Sequence, residues 1–195
     1  MTSRDTILAT IRARRIADAK HPAPYIAPAL DDLATRFAAE ARSEHAEVRL
    51  LDNEAEIPDA VADILRARNL PAILHIPGGG TCGPLTIRDT PPGPDDAALA
   101  RADYAIAETG TLAYLASETA PASWHYRAGL EIAVVKADTI VPHLENVLAR
   151  VRATLPHTLN LVTGPSRTGD IEQTLELGAH GPKGLVVLVI RPPSP

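Results

Sequence analysis

The chain has 195 residues, a formal net charge of −5 and only 3% aromatic residues. Nucleic-acid-binding proteins need a basic surface, and those that bind single strands also need aromatic side chains for base stacking, so the composition argues against both classes. Cys82 is the single cysteine, which excludes an intrachain disulfide and any iron–sulfur cluster or cysteine-rich zinc site held by this chain alone. We therefore expect no metal and no cofactor bound by this chain.

The N-terminal residues lack the apolar core of a signal peptide, and no apolar run approaches the roughly 18 residues of a membrane-spanning helix. We therefore expect a soluble, cytoplasmic protein that inserts into no membrane. The first predicted elements are two amphipathic helices separated by a proline-rich break, over residues 5–20 and after Asp31 or Asp32 as N-cap. Because both precede the first strand, we predict a helical arm over residues 1–45, packed on the domain or on a partner.

Strands and helices alternate from residue 46 onward. Strands are predicted at residues 47–51, 71–77, 131–137, 159–164 and 185–190, helices at 57–65, 95–102 and 141–153, and a hairpin or bent strand at 104–116. The runs "EIAVVKA" and "LVVLVI" are apolar without alternation, which is typical of parallel strands covered on both faces. The pattern predicts one three-layer α/β domain with a mostly parallel sheet over residues 46–190, followed by a tail at 191–195.

The segment "GGGTCG" at residues 78–83 matches the spacing G-x-G-x-x-G and follows a predicted strand. A dinucleotide site also needs a helix to begin there, and the prolines of the following "PLTIRDTPPGP" forbid one, so we exclude this type of site. The loop is then either one wall of a ligand crevice or a flexible turn. If exposed there, the Cys82 thiol would be reactive.

The segment "AETGT" places the carboxylate of Glu108 at the end of an apolar strand. Next to apolar walls a glutamate acts as a nucleophile or has a raised proton affinity; the alternative is a turn carboxylate bonded to backbone amides. Gly110 lets the backbone approach a ligand, and Thr109 supplies a hydroxyl donor.

Residues 163–184 hold the other candidate site. A strand ends at Gly164, and Asp170 is a good N-cap for a short helix that would stop at Gly178. Arg167 would then lie beside a helix N-terminus, where an anion is favoured, with the hydroxyls of Ser166 and Thr168 as further donors. The alternative for Arg167 is an ion pair with a nearby acidic residue. His180 is either catalytic or a structural hydrogen-bond partner, and a serine-hydrolase triad is disfavoured because the spacing G-x-S-x-G is absent.

The blocks "AIAETGT" (105–111), "GPSRTGDIE" (164–172) and "LGAHGP" (177–182), in this order, resemble the LUD domain family of lactate-utilisation protein C. The resemblance implies a fold like that of CoA transferases and ribose-phosphate isomerases. It also implies a role in oxidising L-lactate to pyruvate together with two partner proteins that carry iron–sulfur clusters. The sequence departs from the family at Gly169, usually alanine, and at "SWHYRAGLE", where His125 is displaced.

Three functions follow from these observations. The first is a cluster-free subunit of a lactate-oxidising complex, which binds a small 2-hydroxy or 2-oxo acid or supports assembly with the iron–sulfur partners. The second is a stand-alone acyl- or CoA-transferase-like enzyme with Glu108 as nucleophile, by analogy of placement with CoA transferases. The third is a non-catalytic, carboxylate-binding regulator. The candidate catalytic residues are Glu108 and His180, and the candidate substrate-binding residues are Arg167, Ser166, Thr168, Thr109, Gly110 and Gly164.

Overall fold

Helices and strands alternate along most of the chain. The computed structural model describes residues 3–14, 23, 28–117, 119–169, 175–177 and 181–192, with the backbone alone at 167–169 and 175–177. The helices are α1 (Ser3–Ala13), α2 (Leu33–Ser43), α3 (Ile57–Ala67) and α4 (Leu144–Val151), with 3₁₀ turns at Glu54–Glu56, Ala122–Tyr126 and Ala137–Thr139. None of the helices in the described ranges has the length and apolar character needed to cross a bilayer.

The central sheet has six parallel strands in the order β1-β12-β7-β4-β2-β3. Their bounds are β1 Glu47–Leu51, β2 Ile73–His75, β3 Thr86–Arg88, β4 Ala97–Arg101, β7 Leu130–Lys136 and β12 Gly184–Ile190. Two interior strands, β7 and β12, pair over their full seven residues and are almost wholly buried. The sequence prediction of an α/β fold with a mostly parallel sheet is confirmed. β7 and β12 contain the two continuous apolar runs on which the prediction was based.

A second, smaller sheet packs against the central one. Its order is β8-β5-β6-β9, formed by β5 (Tyr104–Ile106), β6 (Thr111–Leu115), β8 (Ile140–Val141) and β9 (Leu159–Thr163). β5 and β6 form the antiparallel hairpin that the sequence allowed. One apolar cluster joins this sheet and α2 to the central sheet, another joins α3 to the opposite face, and α4 covers the outer side of the small sheet. The layers are thus α3, the central sheet, and α2 with the small sheet.

Two of the predicted helices are wrong. Residues 97–101 form β4, because Ala97, Ala98 and Leu99 are buried between neighbouring strands and this tertiary environment overrides the helix propensity of alanine. The helix predicted between Asp170 and Gly178 is wrong at residues 175–177, because β10 (Arg167–Gly169) and β11 (Leu175–Leu177) pair as antiparallel strands.

Helix α2 belongs to the core. Its N-cap is Asp32, whose Oδ1 accepts a hydrogen bond from the backbone N–H of Thr35 at 3.2 Å, as the sequence predicted. Phe37, Ala38 and Ala41 are buried on the face that contacts both sheets. The limit of a separate arm at residue 45 stays a prediction.

Candidate functional site

The AETGT turn (residues 107–111) and the end of β9 lie side by side. Register pairs Thr111 with Thr163. A chain of hydroxyl contacts runs from Thr109 Oγ1 to Thr111 Oγ1 and from there to Thr163 Oγ1, each 2.7 Å long. The structure therefore brings Glu108, Thr109 and Gly110 close to Gly164, as a shared site would require.

Gly110 and Gly164 have positive φ angles of 64° and 66°. A Cβ atom at Gly110 would lie 2.6 Å from the Cα of Ala41, and one at Gly164 would meet the backbone carbonyl of Glu44. Because real Cβ atoms do not approach so closely, both positions require glycine. Both glycines therefore pack against the C-terminal end of α2, a structural role that sequence alone does not distinguish from ligand binding.

Glu108 is paired with a histidine. Its Oε2 lies 2.9 Å from His143 Nδ1, and His143 Nε2 lies 2.8 Å from the carbonyl oxygen of Pro28. A carboxylate and a carbonyl oxygen both accept hydrogen bonds, so both ring nitrogens donate when His143 is protonated, and this geometry favours the imidazolium form. The hydrogen bond to Glu108, together with that to the Pro28 carbonyl, raises the pKa of His143.

The Glu108 side chain is 46% exposed and carries its charge in this ion pair. The sequence suggested a ligand or backbone amides as the partner of Glu108. The structure instead pairs it with the imidazole of His143, 35 residues further along the chain. A carboxylate already bound to a cation is a weaker nucleophile, because its lone pairs are engaged. The pairing counts against acyl transfer through Glu108, and the catalytic role of Glu108 stays a prediction.

A polar cavity of about 500 Å³ lies at the end of β9. We call it the polar cavity, and its lining includes Glu44, His45, His125, Tyr126, Gly164 and Ser166. The backbone N–H of Ser166 donates to the Pro182 carbonyl at 2.9 Å, which holds the turn in place. Of the predicted substrate-binding residues, Gly164 and Ser166 thus share one cavity.

Arg167 and Thr168 follow directly, in β10. Residues 167–169 pair with residues 175–177 as antiparallel strands, and the expected helix N-terminus beside Arg167 lies outside the described residues. Asp170 and His180 lie outside the described residues, so their predicted roles stay predictions.

A buried carboxylate forms a second cluster that the sequence reading missed. Glu131 in β7 is 1% exposed. Its Oε1 accepts hydrogen bonds from the Tyr114 hydroxyl at 2.8 Å and from His125 Nδ1 at 2.9 Å, and the two rings stack with centroids 3.9 Å apart. Burial, together with the nearby Glu131 carboxylate, raises the pKa of Tyr114 well above its ordinary value. We call this group the Glu131 cluster.

The Glu131 cluster borders a second cavity, of about 340 Å³. We call it the apolar-walled cavity, and its lining includes Ile76, Leu99, Arg101, Tyr114, Trp124 and His125. His125 lines both cavities. Its only sequence signal was its displacement from the family pattern, whereas Glu131 could have been flagged as a charge at the start of an otherwise apolar strand.

The glycine-rich loop is followed by β3 and not by the helix that a dinucleotide site needs, as the prolines indicated. Cys82 within the loop is 4% exposed in the core beside α3, and burial raises its pKa. The condition for a reactive thiol, exposure in the loop, is therefore not met, and burial disfavours the thiolate form. Among the described residues, no group of three or more His, Cys, Asp or Glu side chains is placed to hold a metal ion.

Known proteins match the segment that contains Glu108 and the Glu131 cluster. The LUD domain family model matches residues 95–190. "Lactate utilization protein C" of Geobacillus kaustophilus is 30% identical over 47% of this chain, and the protein of the same name from Halalkalibacterium halodurans is 31% identical over 49%. The aligned parts cover only 41% and 44% of those two relatives.

The structure is similar to a crystal structure of a DUF162 family protein from Deinococcus radiodurans. The aligned residues cover 84% of this chain and 99% of the other chain. The TM-score is 0.62 at 24% sequence identity, which shows a shared fold. The family match includes the AETGT turn and the "GPSRT" and "HGP" segments that carried the sequence resemblance. Residues 95–190 of the chain form a LUD domain.

Proposed function

We propose that the chain takes part in lactate utilisation as a cluster-free subunit that binds a small 2-hydroxy or 2-oxo acid and assembles with iron–sulfur partner proteins. The observation that carries the proposal is the LUD domain match, together with relatives named lactate utilization protein C. The single cysteine supports the cluster-free part, because it is buried beside α3 and a cluster needs several thiolates.

The polar cavity is the proposed binding site for the acid. Its volume of about 500 Å³ accommodates a small carboxylate, and Ser166 supplies a hydroxyl to its wall. Arg167 follows Ser166 directly, and in the proposal its guanidinium binds the carboxylate through two parallel hydrogen bonds.

Calorimetric titration of the purified chain with lactate and with pyruvate tests the binding. We expect saturable binding that weakens about tenfold or more in Arg167→Ala, because a charge-assisted hydrogen bond is lost. Arg152→Ala removes an exposed arginine that follows α4 and serves as the control. Equal affinity in the two variants would exclude Arg167 from the site, and an absence of binding by the unmodified chain would exclude the cavity.

Assembly is tested separately. Co-expression with candidate iron–sulfur partner proteins from the same organism should yield a complex that survives gel filtration, and deletion of the gene should impair growth on lactate. If the chain elutes alone and deletion leaves growth on lactate unchanged, the proposed role fails, whatever the titrations show.

The two remaining functions predict other outcomes. An acyl transferase that uses Glu108 forms a glutamyl thioester with CoA and loses turnover in Glu108→Gln, an outcome that the ion pair with His143 disfavours. A regulator binds the acid in the same titration but supports no turnover in any mixture with the iron–sulfur partners.

A further inference from the structure

The Glu131 cluster is costly to the fold. Glu131 opens the apolar run of a central strand, 1% exposed, and its Oε2 has no hydrogen-bond partner among the described residues. Burying a carboxylate with one oxygen unsatisfied costs much free energy, and an apolar residue at this position of β7 would avoid the cost. Such a group is a candidate for a functional role.

The hydrogen bonds fix the state of the cluster. Oε1 of Glu131 accepts from both the Tyr114 hydroxyl and the Nδ1–H of His125, which makes it the acceptor of two donors. An acceptor at Nδ1 holds a proton of His125 on that nitrogen, and in the neutral imidazole this leaves the lone pair on Nε2.

Nε2 is therefore the polar atom of His125 that a ligand can use. The ring lines both cavities, and its stacking on Tyr114 fixes its plane. With its lone pair free, Nε2 accepts a hydrogen bond from a hydroxyl group. A carboxylate, a tyrosine and a stacked imidazole thus hold one acceptor at the cavity wall.

The apolar-walled cavity suits a ligand with a hydrocarbon group. Ile76, Leu99 and Trp124 form part of its lining, and its volume of about 340 Å³ falls in the range of organic ligand sites. Arg101 also lines it, and one guanidinium nitrogen contacts Glu54 at 3.2 Å while the planar fork has further donors for a carboxylate. Asp103 on the same wall disfavours polyanions.

We propose that the apolar-walled cavity binds a 2-hydroxy acid whose side chain is larger than methyl, with the ligand's hydroxyl donating to His125 Nε2. Arg101 binds its carboxylate, and Glu131 and Tyr114 are positioning residues that orient His125. This inference rests on the proposed function, from which it takes the class of acid. It adds that the acid carries a hydrocarbon side chain, and it names the residues that select this acid.

A titration series tests the ligand class. Lactate, 2-hydroxyisocaproate and isocaproate differ in side-chain size and in the hydroxyl group. We expect 2-hydroxyisocaproate to bind about tenfold more tightly than lactate, because more apolar surface is buried, and about tenfold more tightly than isocaproate, which leaves Nε2 without its donor. Equal affinities for lactate and 2-hydroxyisocaproate would overturn the proposal.

Variants test the residues. His125→Gln should abolish the preference for the hydroxy acid over isocaproate, whereas His157→Gln, at an exposed position, should keep it. Tyr114→Phe retains the ring stack but removes one donor to Glu131, and should reduce the preference severalfold. Nitrogen-15 NMR in mildly alkaline solution should show His125 protonated at Nδ1, and this signature should be lost in Glu131→Leu, which removes the acceptor. A preference unchanged in His125→Gln, or a proton on Nε2 in the unmodified chain, would contradict the assignment.

The outcomes separate the two proposals. If lactate binds and its affinity depends on Arg167, but 2-hydroxyisocaproate shows no preference, the proposed function stands and the apolar-walled cavity is not the site. If none of the acids binds, both proposals fail. Circular dichroism and thermal melting of each variant show that a lost preference is not a loss of folding.

Discussion

Gly110→Ala should destabilise the fold because two separate penalties act at that position. The φ angle of 64° is left-handed, which costs an alanine about 1–2 kcal/mol. The new Cβ would also lie 2.6 Å from the Cα of Ala41, and the displacement of α2 that relieves this contact costs a further ~1–3 kcal/mol. We therefore expect the free energy of unfolding to fall by about 2–5 kcal/mol.

The control for this prediction is Gly78→Ala. Gly78 has a φ angle of 76°, but a Cβ there meets nothing within 4 Å, so only the backbone penalty remains. Urea unfolding followed by circular dichroism should place Gly110→Ala about 1–3 kcal/mol below Gly78→Ala. Gly164→Ala, beside the Glu44 carbonyl, should behave like Gly110→Ala. If all three substitutions cost the same, α2 does not rest on these turns and the structural account of the two glycines is refuted.

Three further predictions concern titratable groups. By NMR, the pKa of His143 should lie above the ordinary histidine value of about 6.5 and should fall in Glu108→Gln; an unchanged pKa would contradict the ion pair. Because that pKa is raised in the folded state, its stabilising contribution should be complete below about pH 6.5 and be lost as the pH rises through the folded value, so Glu108→Gln should flatten this part of the stability profile. Ultraviolet titration should find that Tyr114 stays protonated until the protein unfolds, and Tyr114→Phe should remove that late transition. Cys82 should resist alkylation by iodoacetamide in the native protein and react fully in urea, whereas rapid native labelling would refute its burial.

The parts of the fold that the sequence predicted are those whose local pattern and tertiary environment agree. β7 and β12 are continuous apolar runs, and they occupy the most buried positions of the sheet. β4 was mistaken for a helix because its alanine-rich sequence favours helices locally, and only its pairing with β7 and β2 decides otherwise. The hairpin of β10 and β11 was missed because Asp170 and Gly178 look like helix boundaries.

The candidate site was less predictable, because its pairings join distant parts of the chain. Glu108 could be singled out from its strand end, but its partner His143 is 35 residues away and no spacing rule connects them. His125 and Glu131 are six residues apart, yet they meet because a 3₁₀ turn folds back onto β7. Residue types pointed to candidate groups, and only tertiary structure assigned their partners.

Helix α2 precedes the family-matched residues 95–190, yet its end rests on two turns within that segment, at Gly110 and Gly164. These contacts join residues about 70 and 120 positions apart, so the contact of the helix with Gly164 forms only after a large loop has closed. During synthesis, Phe37 and its apolar neighbours therefore remain without their final partners until most of the chain has left the ribosome. A fragment that begins at residue 95 would lack both this helix and β1, and would expose the edge of β12 to pairing with other chains.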